Sequence, residues 1–378
     1  MPNSSSERQH APPNSDEIEV SLFGPGIGEC CVIHLGDNEW LIIDSCLDPS
    51  TKNPTPLLYL QNLDVDPAHA VKLFVISHWH SDHIKGASQV AGTCESSYIC
   101  FSEALLRDEF FAMIDIYSGL DQPVLTDRET CGTKEIASII KTIRERCDQK
   151  SADSIYNLLS ADKRIYQKEY NNHSVEVWAL SPSPESVLHC LAEIGDCIRI
   201  AAESPVRRVI PVPTQNHNAA VLLIKVNGES KILLGSDLEE TGNPRTGWSA
   251  IVQSQNRPQG KSQIFKIPHH GSTDAHSHDV WEKMLDSDPI CMLTSKVGGR
   301  AIPKDSDIKR LKKYTSNLYC TAPPLTKKHK YDPAVERTIK GIMKNRKPLY
   351  GEMGHIKIRF SGNSGAAVSL IAPAKALQ

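Results

Sequence analysis

A short segment in the N-terminal half of the chain carries several side chains of the types that bind metal ions. Residues 73–86 read LFVISHWHSDHIKG, in which His78, His80, Asp82 and His83 directly follow an apolar run. Imidazole and carboxylate groups are ligands of Zn²⁺ and of comparable divalent ions. A loop of this pattern can direct alternate side chains toward different points, so it could serve two ions. The segment therefore predicts a divalent-metal site at the end of a strand.

Hydrophobic patterning indicates the elements that must position this loop. VKLFVIS (71–77) is a short apolar, β-branched run, which predicts a buried strand directly before the loop. Further strands are predicted at 18–23, 31–35, 39–44, 175–180, 219–226, 230–235, 263–267, 289–294 and 356–360. The pair Asn227-Gly228 predicts a tight hairpin between two of them.

Helical periodicity appears between these strands. SEALLRDEFFAMIDIY (102–117) predicts a helix with Ser102 as its N-cap, and Ile136, Ile139, Ile140 and Ile143 recur on one face of a second helix. Strands open the chain, helices follow, and the two alternate through the second half. This order favours a layered α/β fold.

The composition is that of an ordinary globular protein. The chain has 378 residues, of which 39% are hydrophobic and 23% charged, and its formal net charge is -3. No apolar run approaches the roughly 20 residues that cross a bilayer, and the first residues lack the apolar core of a signal peptide. Eleven cysteines without a CxxC pair do not form a typical disulfide framework. We therefore expect a cytoplasmic protein with no membrane association.

We expect one large domain at 16–362, between a flexible N-terminal tail at 1–15 and a small polar C-terminal tail at 363–378. Between residues 304 and 347, thirteen Lys or Arg stand against four acidic residues. Such a block is either a solvated surface or an electrostatic footprint for a polyanion, and both interpretations stay open. Nothing in the sequence indicates a protein partner or an oligomeric state.

The HxHxDH loop behind an apolar strand resembles that of the metallo-β-lactamase superfamily of metallo-hydrolases. Other landmarks of that superfamily have matches in the expected order: Asp44 in LIIDSC, Asp237 in ILLGSDLE, and His269 or His270 in KIPHHGS. The segment NHNAAVLLIKVNGESKILLGSDLE followed by KIPHHGS is similar to the hydrolase domain of the competence DNA-uptake protein ComEC, without its membrane channel. GPGIGEC resembles the opening of that domain, except that Glu29 stands where the family has an aspartate.

The resemblance implies the four-layer αβ/βα sandwich of the metallo-β-lactamase superfamily, within the α/β (α+β) class. It also implies a centre of two divalent metal ions, zinc or manganese. In that centre His78 and His80 hold one ion, Asp82, His83 and the late histidine hold the other, and Asp237 bridges the two. Asp44 is implied either to orient the ligands from behind or to contact the water between the two ions.

Two ligand assignments stay open. We favour His269 as the late ligand because it lies nearest the strand end, with His270 directed into the cleft as a proton donor, but the reverse is possible. His217 is the candidate for a further ligand, and Asn216 or Asn218 with a water is the alternative.

The implied activity is hydrolysis in which the cations lower the pKa of a captured water and clamp both oxygens of an in-line displacement. We predict a phosphodiesterase or nuclease that acts on nucleic acid or a nucleotide, with Asp82, His270 and Asp44 in the catalytic machinery. Asn218, Ser272 and Arg300 are weaker candidates for substrate contact, since Ser272 could equally cap a helix and Arg300 could lie in a plain turn. A hydrolase of a small ester, lactone or thioester is the alternative, and a metal-stabilised binding module is a third interpretation.

Overall fold

The computed structural model describes residues 11–25, 28–106, 110, 127–149, 155–203, 214–296, 301–322, 337–338, 353–362 and 364–377. Within them, two mixed sheets of eight strands each pack face to face through a shared apolar cluster. Helices cover the outer face of each sheet, where two further apolar clusters lie. The predicted α/β sandwich is confirmed, with its four layers in the order helix, sheet, sheet, helix.

The first sheet places two of the candidate segments side by side. Its strands are β1 (Glu17–Gly24), β2 (Cys30–Gly36), β3 (Glu39–Ile43), β4 (Val71–Ile76), β5 (Tyr98–Ser102), β6 (Tyr156–Leu159), β14 (Gly354–Ser361) and β15 (Ala367–Ile371). They lie in the order β15-β14-β1-β2-β3-β4-β5-β6, antiparallel as far as β3 and parallel beyond it. Because β3 and β4 are parallel, Asp44 and the HxHxDH loop follow them at the same sheet edge.

The second sheet also contains a run of parallel strands whose following loops lie at one sheet edge. Its strands are β7 (Lys163–Glu169), β8 (Ser174–Ala179), β9 (Leu222–Val226), β10 (Glu229–Leu234), β11 (Ser262–Lys266), β12 (Leu285–Leu293), β13 (Leu318–Cys320) and β16 (Lys375–Ala376). Strands β10 to β13 are parallel, so the residues that follow β10, β11 and β12 share one edge. The predicted hairpin between β9 and β10 is confirmed, with φ of 53° at Asn227 and 78° at Gly228.

The helices divide between the two outer faces. Those against the first sheet are α1 (Thr55–Asn62), α2 (Pro67–Ala70), α3 (Ser81–Ile84), α4 (Ala87–Thr93), α5 (Asp127–Gln149) and α6 (Pro184–Glu203), and those against the second are α7 (Gly247–Gln253), α8 (His278–Lys283) and α9 (Asp305–Leu311). Ile136, Ile139 and Ile143 of α5 are buried, as the periodicity predicted. Among the described residues, no helix combines the length and the hydropathy needed to cross a bilayer.

Two predicted segments differ from the structure. Ser102 ends β5, and its hydroxyl accepts a bond of 3.3 Å from the amide of Ala104 in the short 3-10 turn Glu103–Leu106. The rest of the predicted helix at 102–117 lies outside the described residues, apart from Phe110. Residues 364–377, which we expected in a loose tail, instead supply β15 and β16, because AVSLI has the alternation and β-branching of an edge strand.

Candidate metal centre

The loops that follow β3, β4, β10 and β11 meet between the two sheets. Nε2 of His83, from the first sheet, lies 3.3 Å from Oδ2 of Asp237, from the second. Both side chains are buried, with 0% and 1% exposure. Segments that are more than 150 residues apart in the sequence therefore form one site.

His78 and His80 face each other at one side of this site. Nε2 of His78 and Nδ1 of His80 are 3.1 Å apart. Burial lowers the pKa of both imidazoles, and the neighbouring His83 lowers the pKa of His78 further. Neutral imidazole is the form that binds a metal ion. The pair is therefore suited to hold a cation between its two nitrogens.

Asp82, His83, Asp237 and His270 form the centre of the cluster. Nε2 of His270 lies 3.8 Å from Oδ2 of Asp237 and 4.0 Å from Oδ2 of Asp82. Potential ligand atoms converge within 4.8 Å of one another in three overlapping groups: Asp44, His78 and His83; Asp82, His83 and His270; and Glu29, His83 and Asp237. Such convergence of imidazole and carboxylate is the donor set of a divalent metal site.

The hydrogen bonding of these atoms tests whether a cation fits. Both carboxylate oxygens of Asp237, Nε2 of His83 and Nε2 of His270 are buried without a hydrogen-bond partner. Leaving such an atom unsatisfied costs about 1–3 kcal/mol. A divalent cation can bind the free carboxylate oxygen of Asp237 and the Nε2 atoms of His83 and His270 once those rings are deprotonated. The residues present therefore fit a metal ion.

Asp44 orients two of the histidines from behind. Its carboxylate accepts bonds from the Ser77 amide at 2.8 Å and the Ser77 hydroxyl at 2.6 Å, and it lies 2.8 Å from Nδ1 of His83. The same hydroxyl is 3.0 Å from Nδ1 of His78. With Nδ1 engaged in each ring, Nε2 is left to act as the ligand atom.

Charges around His83 oppose the effect of burial. Burial by itself lowers the pKa of His83, but the carboxylates of Asp237 and Asp44 outweigh it and raise the pKa well above its usual value. Burial raises the pKa of Asp237, but the positive charges of His83, His270 and Lys266 outweigh burial and lower the pKa well below its usual value. The buried site is therefore held together by charge pairing in the absence of a cation.

A buried polar network that the sequence did not reveal lies behind His270. The Lys266 ammonium contacts the Glu29 carboxylate, and the Thr294 hydroxyl donates to the same carboxylate. Thr294 Oγ1 also lies 2.8 Å from Nδ1 of His270. The one signal in the sequence is a lysine within the apolar strand SQIFK, where a buried charge is unexpected without a partner.

Gly28 and Glu29, directly before β2, pack against the HxHxDH loop. The Glu29 amide donates to the Asp82 carbonyl at 2.9 Å. A Cβ on Gly28, whose φ is 148°, would lie 2.0 Å from that carbonyl oxygen. Only glycine allows this close approach, which brings Glu29 under the loop.

The structure separates His269 from His270. His270 lies in the cluster, whereas Nδ1 of His269 lies 3.0 Å from Oε1 of Glu239. The chain turns through φ of 45° and 55° at these two residues, which sends adjacent side chains in different directions. This geometry favours His270 as the late ligand, the reverse of the preference drawn from the sequence.

The other candidates lie at the margin of the site. Nε2 of His217 lies 3.5 Å from Oε2 of Glu239, outside the three converging groups. Asn218 is buried, and its Oδ1 has no hydrogen-bond partner. The Ser272 hydroxyl accepts a bond of 3.3 Å from the Asp274 amide within a local turn, and the following helix is capped at Ser277, so Ser272 is not its cap. Arg300 lies outside the described residues.

Basic residues near the site were only partly predicted. Lys296, which the sequence analysis did not single out, places its ammonium 3.0 Å from Oδ2 of Asp82 with 30% of its side chain exposed. In the basic block, Arg310 donates to the Gly271 carbonyl at 2.7 Å and so supports the turn that carries His269 and His270. Most of this block beyond residue 322 lies outside the described residues.

Comparison with known proteins yields no matching family model and no matching curated protein. Solved structures that match include a motif mutant of a metallo-β-lactamase from Cronobacter sakazakii, 13% identical over 65% of this chain and 75% of that one, with a TM-score of 0.31. MEM-A1, a subclass B3 metallo-β-lactamase from a soil metagenome library, is 13% identical over 70% and 83% of the two chains, with a TM-score of 0.30. A putative metallo-β-lactamase from Thermotoga maritima is 11% identical over 58% and 79%, with a TM-score of 0.27.

Proposed function

We propose that this protein is a metal-dependent hydrolase of the metallo-β-lactamase type that cleaves phosphodiester bonds in a nucleic acid or a nucleotide. The observation that carries the proposal is the convergence of partnerless buried ligand atoms from His83, Asp237 and His270 beside Asp82. Polar groups in a core normally have hydrogen-bond partners, and charge pairing alone leaves these atoms without one, so the cluster favours a bound cation over a purely structural role.

In this proposal His83, His270, Asp82 and Asp237 would hold one cation, and His78 and His80 would hold a second, to which Asp237 could also contribute. Such cations, zinc or manganese, supply Lewis acidity and lower the pKa of a bound water toward neutrality. Asp44 keeps the histidine rings in the orientation that presents Nε2, through its contacts with Ser77 and His83. It is thus a positioning residue and does not itself touch the substrate.

Proton donation passes to His269 once His270 is assigned as a ligand. Burial lowers the pKa of His269, but contact with Glu239 and the charge of Asp237 outweigh it, so the pKa is raised. Glu239 therefore favours the protonated imidazole, which can supply a proton to a leaving oxygen. Asn216 donates a bond of 2.7 Å to the same carboxylate and holds it in place.

The anionic substrate class is supported by the charges at the rim of the site. Lys296 lies beside Asp82 with part of its side chain exposed, so its ammonium can attract a phosphodiester toward the centre. The sequence-level excess of basic residues at 304–347 is consistent with a longer polyanion. A small neutral ester would gain nothing from either feature.

A substrate panel tests this proposal. The protein is stripped with EDTA, reloaded with Mn²⁺ or Zn²⁺, and incubated with end-labelled single-stranded DNA, bis(p-nitrophenyl) phosphate and p-nitrophenyl acetate. We expect cleavage of both phosphodiesters, and loss of it in Asp237→Asn but not in Asp48→Asn, whose carboxylate lies in an exposed turn. Ester hydrolysis without phosphodiester cleavage would move the assignment to the small-ester class.

A further inference from the structure

Lys266 is a buried cation set inside a cluster of metal-ligand side chains. Its side chain is 3% exposed, and its ammonium contacts the Glu29 carboxylate. The same ammonium donates to the Ser236 carbonyl at 2.8 Å and lies 3.7 Å from Oδ1 of Asp237. A buried lysine is rarely found without partners of this kind, because removing the charge from water is costly.

The two carboxylates that Lys266 contacts are themselves metal-ligand candidates. Glu29, His83 and Asp237 offer ligand atoms within 4.8 Å of one another, as the donor set of a cation site does. Glu29 also lies 3.9 Å from Nδ1 of His83 and 3.6 Å from Nδ1 of His270. The ammonium thus lies against both carboxylates and competes with a metal ion for them.

Electrostatic repulsion prevents the Lys266 ammonium and a divalent metal ion from contacting Glu29 and Asp237 at the same time. An ammonium and a divalent ion in contact with the same carboxylates would repel each other strongly in a buried site, where screening by water is weak. While Lys266 is present, Glu29 is kept as its counter-ion and cannot turn toward a metal. Only one oxygen of Asp237 faces the ammonium, so the other is left for the proposed centre.

We propose that Lys266 is an internal cation that fills a third cation position beside the metal centre and excludes Glu29 from the ligand set. This inference rests on the metal centre of the proposed function and adds a determinant of how many ions that centre accepts. Thr294, which donates to Glu29 and lies against His270, links this position to the ligand histidine.

Removal of the ammonium tests the inference through metal binding alone. Purified Lys266→Met is compared with the wild-type protein by titration calorimetry with Mn²⁺ and by metal analysis after equilibrium dialysis. We expect Lys266→Met to bind one more equivalent than the wild type, because the Glu29 carboxylate and the Asp237 oxygen that faced the ammonium become available to a cation. We also expect a lower melting temperature in EDTA, restored by Mn²⁺, because two buried carboxylates have lost their counter-charge.

Three further variants test whether the additional Mn²⁺ ion in Lys266→Met is bound by Glu29. Glu29→Gln/Lys266→Met should return to the wild-type stoichiometry, because the added ligand is gone. Lys266→Arg keeps the cation and should also retain the wild-type stoichiometry. Lys261→Met, which removes an exposed lysine just before β11, is the surface control and should bind as the wild type does.

A single substitution covers the case in which Lys266→Met does not fold. In Glu29→Gln the ammonium has Asp237 as its remaining carboxylate, which draws that ligand away from the centre. We expect Mn²⁺ affinity to fall by about tenfold or more, as it does when an outer partner of a ligand is removed. Unchanged affinity in this variant overturns the inference.

Two other results overturn the inference. Lys266→Met with the wild-type stoichiometry does so, and so does an extra equivalent that persists in the double variant. If the wild-type protein binds Mn²⁺ and Lys266→Met binds it identically, the inference fails and the proposed function stands. If the wild-type protein binds no divalent ion, both fail together.

Discussion

Replacement of Asp44 by asparagine is the sharpest test of how the ligand histidines are held. Asparagine has nearly the same shape as aspartate and tolerates the φ of 61° that the backbone adopts at this position. The substitution therefore removes charge and one acceptor without a steric change. Any effect on metal binding then reports the role of the carboxylate itself.

The magnitude follows from the three contacts of this carboxylate. Oδ2 lies 2.8 Å from Nδ1 of His83 and accepts the Ser77 hydroxyl at 2.6 Å, while Oδ1 accepts the Ser77 amide at 2.8 Å. The amide oxygen of asparagine can replace one of these oxygens, but its NH₂ group then faces a donor. At about 1.5–3 kcal/mol for a bond to a charged group, we expect a loss of about 2–3 kcal/mol in unfolding free energy.

The affinity for metal should also fall in Asp44→Asn, because the His83 ring loses its charged hydrogen-bond partner. Removal of such an outer partner typically lowers metal affinity by about 10–100-fold, or about 1.4–2.7 kcal/mol. Titration calorimetry with Mn²⁺ measures the affinity, and urea denaturation in EDTA measures stability separately. Asp48→Asn, in an exposed turn, is the matched control. An affinity for Mn²⁺ within twofold of the wild type would refute the positioning role of Asp44.

The remaining predictions concern the loop, pH and the cation. Gly28→Ala should abolish Mn²⁺ binding in calorimetry, because its Cβ would lie 2.0 Å from the Asp82 carbonyl oxygen; Gly228→Ala, where that atom meets open space, should bind normally, and equal affinities would contradict this reasoning. The raised pKa of His83 stabilises the metal-free fold fully below the unfolded value of about 6.5, and this contribution is lost as pH rises through the folded pKa. Because a ligand must release its proton, Mn²⁺ affinity should rise over that range, and a flat pH profile would count against His83 as a ligand. Saturation with Mn²⁺ at 100 times its Kd should add about 2.7 kcal/mol to the unfolding free energy, seen as a higher melting temperature than in EDTA; coincident melting curves would exclude a site specific to the folded protein.

The sequence predicted correctly those strands and turns whose structure is determined by a few consecutive residues. VKLFVIS is both apolar and β-branched, so β4 and the loop behind it could be located from sequence. Asn227-Gly228 accepts the positive φ angles that a two-residue hairpin requires. In both cases the deciding interactions lie within a few residues.

Other elements depend on contacts that no local pattern encodes. The short strands β5, β6 and β13 gain their identity from parallel pairing with neighbours far along the chain. The edge strand β15 follows a stretch of small residues, which we interpreted as a tail. Its pairing with β14 supplies backbone hydrogen bonds that composition alone does not predict.

Some residues of the candidate site could likewise be found from the sequence, whereas others required the three-dimensional structure. The HxHxDH residues were found from residue type and spacing, and Asp44 and Asp237 from the resemblance to the superfamily. The structure brings all of them together. The choice between His269 and His270 depends on two positive φ angles, which histidine adopts infrequently and the sequence does not announce. The pairing of Lys266 with Glu29 joins segments that lie far apart in the chain, so it needed three-dimensional information.

Anomalous diffraction from crystals grown with Mn²⁺ would show whether a cation binds between the two sheets. We expect anomalous density at about 2.0–2.3 Å from Nε2 of His83, Nε2 of His270 and a carboxylate oxygen of Asp237. If crystals show no anomalous density there, or show it only between His217 and Glu239, these residues do not form the metal centre.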